Sequence, residues 1–116
     1  MASTQILQLV GGNDFLKLKR IVHNGTGGNL DLTIQNGGVY CITGYDSISI
    51  SVPKDQYYTA HLFVTFPGSA TEVGFKFPEG MALCGTDPST AAPSENWEVS
   101  IDSVGGALIM RKQAIT

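Results

Sequence analysis

The side chains of a hydrolytic triad occur in this sequence as Asp46, Ser47 and His61. A nucleophilic serine is usually presented by a strained turn with the sequence Gly-x-Ser-x-Gly, and this chain has no such motif. His61 lies inside the apolar run 60–66, where a histidine on a strand face is a commoner arrangement than a general base. We therefore predict that the protein is not an enzyme and has no catalytic residues.

Paired carboxylates are the second group that suggests chemistry, because two of them flanking a glycosidic bond can hydrolyse it. The acidic residues of the second half lie in or near two loop-like segments: Glu72, Glu79, Asp87, Glu95 and Glu98. Acidic side chains in loops ordinarily serve to keep a surface hydrated. We predict no glycosidase activity from them.

Metal and cofactor sites are not indicated either. Cys41 and Cys84 are far apart in the sequence, and together with His23 and His61 they lack the close spacing of a zinc site. Each glycine cluster joins two strand-like runs and never opens a helix, so no phosphate-binding loop is predicted. Two cysteines are few for a disulfide-dependent secreted domain, which favours reduced thiols, although a Cys41–Cys84 bond stays open.

Aromatic residues could form a platform for sugar rings, whose apolar faces stack on them. Tyr57 and Tyr58 point to opposite faces of a strand, so only one of them is exposed in a regular sheet. Tyr58 and Trp97 are the candidates for contact with a glycan. Packing in the core is the alternative interpretation of Trp97, which begins a strand-like run.

The charge balance excludes several partners. Seven basic and ten acidic residues give a net charge of -3, and the basic cluster Lys17, Lys19 and Arg20 alternates like the wet side of a strand. We predict no nucleic-acid partner.

The sequence has no signal peptide and no membrane span, which predicts a protein that is made in the cytoplasm and does not insert in a membrane. Only 15% of the residues are charged, which favours subunit contacts or a wet face of Ser, Thr and Asn.

Short runs with a period of two, closed by Gly, Asn or Pro, extend along most of the 116 residues. Such runs are typical of strands with one buried face, and the whole chain fits one domain. Asn36-Gly37 predicts a type I′ hairpin between 30–35 and 39–43, and 87–94 lacks any period and predicts a surface loop. We expect an all-β fold, an antiparallel β-sandwich of jelly-roll type.

The order of these runs from 39 to 112 resembles a small all-β module of tailed-bacteriophage virion proteins, found in head fibres, capsid decoration proteins and tail-fibre ends. The resemblance depends on the stretches Tyr40-Cys41-Ile42, 47–53, 58–64, Gly68-Ser69-Ala70-Thr71, 77–80 and 97–101. The sequence departs from the module at 81–85, where a tryptophan is expected. Residues 1–38 lie outside the resemblance.

The resemblance implies a bacteriophage virion structural protein: a capsid decoration or head-fibre subunit that binds the capsid surface and stabilises it. It implies a homo-oligomer, with a trimer expected, and contact with the major capsid protein or other virion proteins. Residues 1–38 would be the attachment segment, with Phe15, Leu16 and Leu18 as its contact residues. The alternative is a receptor-binding module at a tail or fibre tip that recognises a glycan of the host cell surface.

Overall fold

The computed structural model describes residues 18–112 of the chain, which form nine strands and one short 3-10 helix, Pro88–Thr90. The strands are β1 (Lys19–Asn24), β2 (Asn29–Thr33), β3 (Gly38–Thr43), β4 (Ser47–Ser51), β5 (Thr59–Thr65), β6 (Gly74–Lys76), β7 (Leu83–Gly85), β8 (Asn96–Asp102) and β9 (Gly106–Lys112). They form a six-stranded sheet in the order β1-β3-β5-β8-β9-β7 and a three-stranded sheet in the order β2-β4-β6.

The first six strands wind between the two sheets as stacked rungs. The chain crosses from β1 to β2, returns to β3, crosses to β4 and repeats this with β5 and β6, so each rung gives one strand to each sheet. Rungs stack in parallel register: Lys19 pairs with Gly38 in the larger sheet and Asn29 pairs with Ser47 in the smaller. This is a β-solenoid-like arrangement.

The predicted all-β fold is therefore confirmed, and the predicted antiparallel jelly roll is wrong. Only β5 with β8 and β8 with β9 pair antiparallel; the other pairings among the described residues are parallel. A period of two specifies which side chains are buried, and it is the same for parallel and antiparallel neighbours. The direction of pairing depends on where each connection leads, and here it leads to the opposite sheet.

The turn at Asn36-Gly37 shows this difference. The amide of Gly38 donates to the carbonyl of Gln35 at 2.9 Å, so a tight turn is present at the predicted position. Gly37 has a φ of 84°, and Asn36 is not among the residues with positive φ. A type I′ turn needs positive φ at both central positions, whereas one positive glycine at the third position is typical of type II. The chain passes through this turn from β2 to β3 in the other sheet, so the predicted hairpin is not formed.

The C-terminal part adds an antiparallel hairpin to the larger sheet. β8 pairs with β5 and β9 pairs with β8, and residues 103–105 connect them as the glycine-rich sequence predicts. Asp102 fixes the turn because its carboxylate accepts hydrogen bonds from the amides of Val104 (2.9 Å) and Gly105 (2.5 Å). Strand β7 shows no alternation in the sequence and pairs in parallel with β9.

The core lies between the two sheets, and every buried side chain in its cluster within residues 18–112 is of a hydrophobic type. Each rung buries alternate residues, as Leu32, Ile42, Ile48, Ile50, Leu62 and Val64 illustrate. The hairpin adds Trp97, Val99, Ile101, Ala107 and Ile109 to the same cluster. The phenol of Tyr40 is also buried, and its hydroxyl accepts a 2.8 Å hydrogen bond from the amide of Gln35 just beyond β2. The hydroxyl is therefore satisfied at the turn that links the two sheets.

Glycines allow successive rungs to approach at one corner. The turn after β1 lies on the turn after β3, where the amide of Gly25 donates to Thr43 at 2.8 Å and that of Gly27 to Gly44 at 2.6 Å. Gly44 has a φ of 85°, and a Cβ there would overlap the carbonyl oxygen of Gly25. Only glycine satisfies both the backbone angle and the close approach.

Candidate interaction face

The outer face of the six-stranded sheet carries an unusual number of apolar side chains. Strand register places the outward residues in rows across the sheet. The middle row is Val22, Cys41, Phe63, Glu98 and Met110, and the adjacent row is Arg20, Val39, His61, Ser100 and Leu108. We call these ten residues the outer face. Val22, Leu108 and Met110 are 45–49% exposed, so substantial apolar area on this face meets solvent.

Phe63 is at the centre of the outer face. It is half-buried, and the ammonium group of Lys112 lies 5.6 Å from its ring centroid in a cation–π contact. Glu98 stands beside Phe63 and Met110 on the neighbouring strands and has no salt bridge within residues 18–112. The face thus combines apolar side chains with isolated charges of both signs, and one of these charges, Glu98, lies within the middle row.

The outer side of the three-stranded sheet is different, because its rows are polar. Asn29, Asp31, Thr33, Ser47, Ser49, Ser51 and Lys76 point outward there. The amide oxygen of Asn29 accepts hydrogen bonds from Ser47 (2.8 Å) and Ser49 (3.0 Å), and its nitrogen donates to Asp31 at 2.9 Å. A side-chain network of this kind is satisfied within the sheet and is compatible with open contact with water.

The triad residues are not brought together. His61 is on the outer face, where its Nε2 atom is 3.1 Å from the hydroxyl of Ser100. Ser47 belongs to the other sheet and is bonded to Asn29, while the Asp46 carboxylate accepts from the amide of Gly28 at 3.3 Å. No carboxylate is hydrogen-bonded to His61 in the part of the chain that the structure describes. The pair His61–Ser100 therefore lacks the third group that orients a catalytic histidine.

Trp97 is fully buried, so the alternative of core packing applies to it and it offers no face to a sugar. The guanidinium of Arg111 covers its ring at 4.9 Å and is held by Glu95 at 3.1 Å. The Glu95 carboxylate also accepts from the indole nitrogen at 3.2 Å. These contacts fasten the segment before β8 over one end of the core.

Tyr58 is half-buried and lines an open groove of about 370 Å³ at the end of the molecule where the β8–β9 turn lies. Met81 and Val104 supply apolar walls, and Glu79 and Asp102 supply carboxylates. Tyr57 is 84% exposed next to it. Tyr58 thus remains a candidate for contact with a small ligand.

Both cysteines are free thiols. Cys41 is on β3 and Cys84 on β7, with β5, β8 and β9 between them. Strands about 4.8 Å apart separate them by about 19 Å, whereas a disulfide needs Cα atoms closer than about 7 Å. The two thiols of one chain therefore do not bond in this fold, and the favoured interpretation of reduced cysteines agrees with the geometry.

Of the predicted attachment residues, Phe15 and Leu16 lie outside the described residues. Leu18 is half-buried directly before β1. β1 and β2, which belong to the predicted attachment segment 1–38, form the first rung and pair with β3 and β4.

Sequence reasoning missed the outer face, although one signal for it was present. The run Ala107-Leu108-Ile109-Met110 is apolar without alternation, which is typical of a strand covered on both sides. Ala107 and Ile109 fill the core, and Leu108 and Met110 point outward. In the same way, Val22 follows the inward apolar residue Ile21, and Phe63 lies between the inward apolar residues Leu62 and Val64.

Residues 18–112 contain no cluster of three or more potential metal ligands. Within the same residues, no helix has the length and apolar character needed to cross a bilayer. No protein-family model matches the chain, and searches of curated proteins and of solved structures find no match.

Proposed function

We propose that this chain is a non-enzymatic structural protein of a tailed-bacteriophage virion, a capsid decoration or head-fibre subunit that acts by adhesion. Two observations support the proposal. The order of strand and turn signals in 39–112 resembles the virion module, and the outer face offers apolar surface that the fold does not need for its own core. The outer face is the observation on which a role in assembly depends, with other copies of the chain or with the capsid.

Adhesion through such a face has a simple energetic basis. Burial of apolar surface contributes roughly 25 cal/mol per Å², from which the loss of translational and rotational freedom is subtracted. A ligand that binds only the assembled shell stabilises that shell by mass action. A subunit that contacts neighbouring capsid proteins therefore makes the capsid more resistant to dissociation.

The experiment is co-sedimentation of the purified chain with undecorated capsids of the encoding phage. We expect many copies per particle and a higher temperature of capsid disruption, with bovine serum albumin as the control for trapping. Immuno-gold labelling of whole virions locates the chain independently, and labelling over the head is the expected result.

Two results would contradict this function. One is the absence of binding to capsids together with labelling at the tail tip. The other is a specific hit on a glycan array that Tyr58→Ala abolishes, which would favour the receptor-binding alternative because Tyr58 lines the groove of about 370 Å³.

A further inference from the structure

We infer that the outer face is covered by a second copy of this chain. This inference rests on the proposed role in assembly. It assigns the outer face to contact between two copies of the chain, so the pair would meet the capsid through its other surfaces. The contrast between the two sheets motivates it: both bury their inner residues in one core, and only the larger sheet also presents Val22, Leu108 and Met110 to solvent.

The size of the face matches what a stable pair needs. The contact would include the outer face and the polar row beside it: Asn24, Thr43, Thr65, Asn96 and Lys112. Five strands of six or seven residues, spaced about 4.8 Å apart and rising about 3.3 Å per residue, give this outward side dimensions of about 24 Å by about 20 Å. Two such faces in contact bury roughly 1,000 Å², which is the lower bound for a specific protein interface. Stacked sheets pack about 10 Å apart, so half-exposed side chains such as Leu108 and Met110 fill the space between them.

The charges on the face are compatible with a copy of itself. Arg20 and Lys112 lie near diagonally opposite corners, and Glu98 lies in the middle row without a salt bridge in the described part of the chain. A face of a single sign would repel its own copy, whereas one with isolated charges of both signs does not. Phe63 is in the central strand of the five and in the middle row, so self-stacking covers its ring.

The test measures the oligomeric state of the purified full-length chain by sedimentation equilibrium over a wide range of concentration. The variant Leu108→Lys/Met110→Lys places two charges on the outer face. The matched control Ser49→Lys/Ser51→Lys places two charges, also two residues apart, on the polar face of the three-stranded sheet. We expect self-association of the wild type, weakened at least about tenfold in the first variant and unchanged in the control.

A second measurement follows a native residue of the outer face in a protein that carries no added charges. Cys41 lies on the outer face between Val22 and Phe63, and its reaction with a thiol reagent is followed in a Cys84→Ser background. The reaction is expected to slow as the protein concentration rises. In Leu108→Lys/Met110→Lys it is expected to keep the rate of the dilute protein.

Two results would overturn the inference. One is a monomer at every concentration, whether Cys41 is accessible or is already covered by the same chain, and the other is an oligomer that both lysine variants weaken equally. The outcome is separate from that of the capsid experiment. A chain that self-associates through this face and ignores capsids would disprove the virion role alone, and a chain that binds capsids as a monomer would disprove this inference alone.

Discussion

The two sheets of this protein share one core and differ on their outer sides. Ile48 from the three-stranded sheet and Leu62 from the six-stranded sheet are both fully buried. Outward from them, Ser49 belongs to a hydrogen-bonded polar network, whereas Phe63 belongs to a row with Val22, Cys41 and Met110. The apolar character of the inner sides follows from the need to form a core. The character of the outer sides does not follow from that need, so the difference between the two outer sides is informative about partners.

This comparison separates stability from association. Inner residues of either sheet should control the free energy of unfolding, and outer residues of the larger sheet should control assembly. The following three predictions test the first half of that statement, beginning with the largest effect.

Truncation of an inner residue should be equally damaging in both sheets. Ile48→Ala and Leu62→Ala are each expected to lower the free energy of unfolding by about 2–5 kcal/mol, because each removes buried methyl groups and leaves a cavity. Urea denaturation at low protein concentration measures this. The outward controls Ser49→Ala and Leu108→Ala should stay within about 0.5 kcal/mol. A tolerated Ile48→Ala would show that the smaller sheet is not part of the cooperative core.

The corner that joins the sheets provides a second test. Gly44→Ala is expected to destabilise by about 2–4 kcal/mol, since it adds left-handed strain and a Cβ that overlaps the Gly25 carbonyl. Gly28 has a similar φ of 79° and open space around it, so Gly28→Ala should cost only about 1–2 kcal/mol. Thermal unfolding of the two variants isolates the cost of close approach. Equal losses would mean that the rungs separate at this corner without difficulty.

Removal of the Tyr40 hydroxyl is expected to have the smallest of the three effects on the free energy of unfolding. Tyr40→Phe leaves the amide of Gln35 without its acceptor and is expected to cost about 1–3 kcal/mol. Burial raises the pKa of Tyr40, an effect that the hydrogen bond from Gln35 opposes. The unfolded chain therefore releases this proton first as the pH rises through about 10.

The pH dependence of stability follows from the raised pKa of Tyr40 in the folded state. The stability that the neutral Tyr40 phenol contributes is complete below the pKa of the unfolded chain and is lost as the pH rises through the higher pKa of the folded state. Denaturation between neutral and alkaline pH should show a steeper loss in the wild type than in Tyr40→Phe. Parallel curves would indicate that another group causes the alkaline loss.

The strands were the part of the fold that the sequence predicted well. The alternation at 47–52 and 97–101 reflects burial on one side, and it predicted β4 and β8 to within one residue at each end. β7 was missed because Leu83-Cys84-Gly85 is too short to show a period and forms through its pairing with β9.

Topology and the interaction face were not predictable in the same way. The turn at Asn36-Gly37 is encoded by Gly37, but the destination of the chain after it depends on packing between distant strands. The apolar character of Leu108 and Met110 was visible, yet which side of β9 they occupy depends on the register with β8. The burial of Trp97 likewise depends on neighbours from other strands: Phe75 of β6, whose ring centroid is 5.8 Å away, and Arg111 of β9.

The rungs also allow the molecule to change in length. Lys19 lies beside Gly38 and Val39 beside His61, so one circuit of the coil uses about 20 residues. Duplication of one such stretch would extend each sheet by a single strand, or about 4.8 Å, and would reuse the existing pattern of inner residues. The height of this protein is thus a quantity that evolution or a designer can adjust in fixed increments.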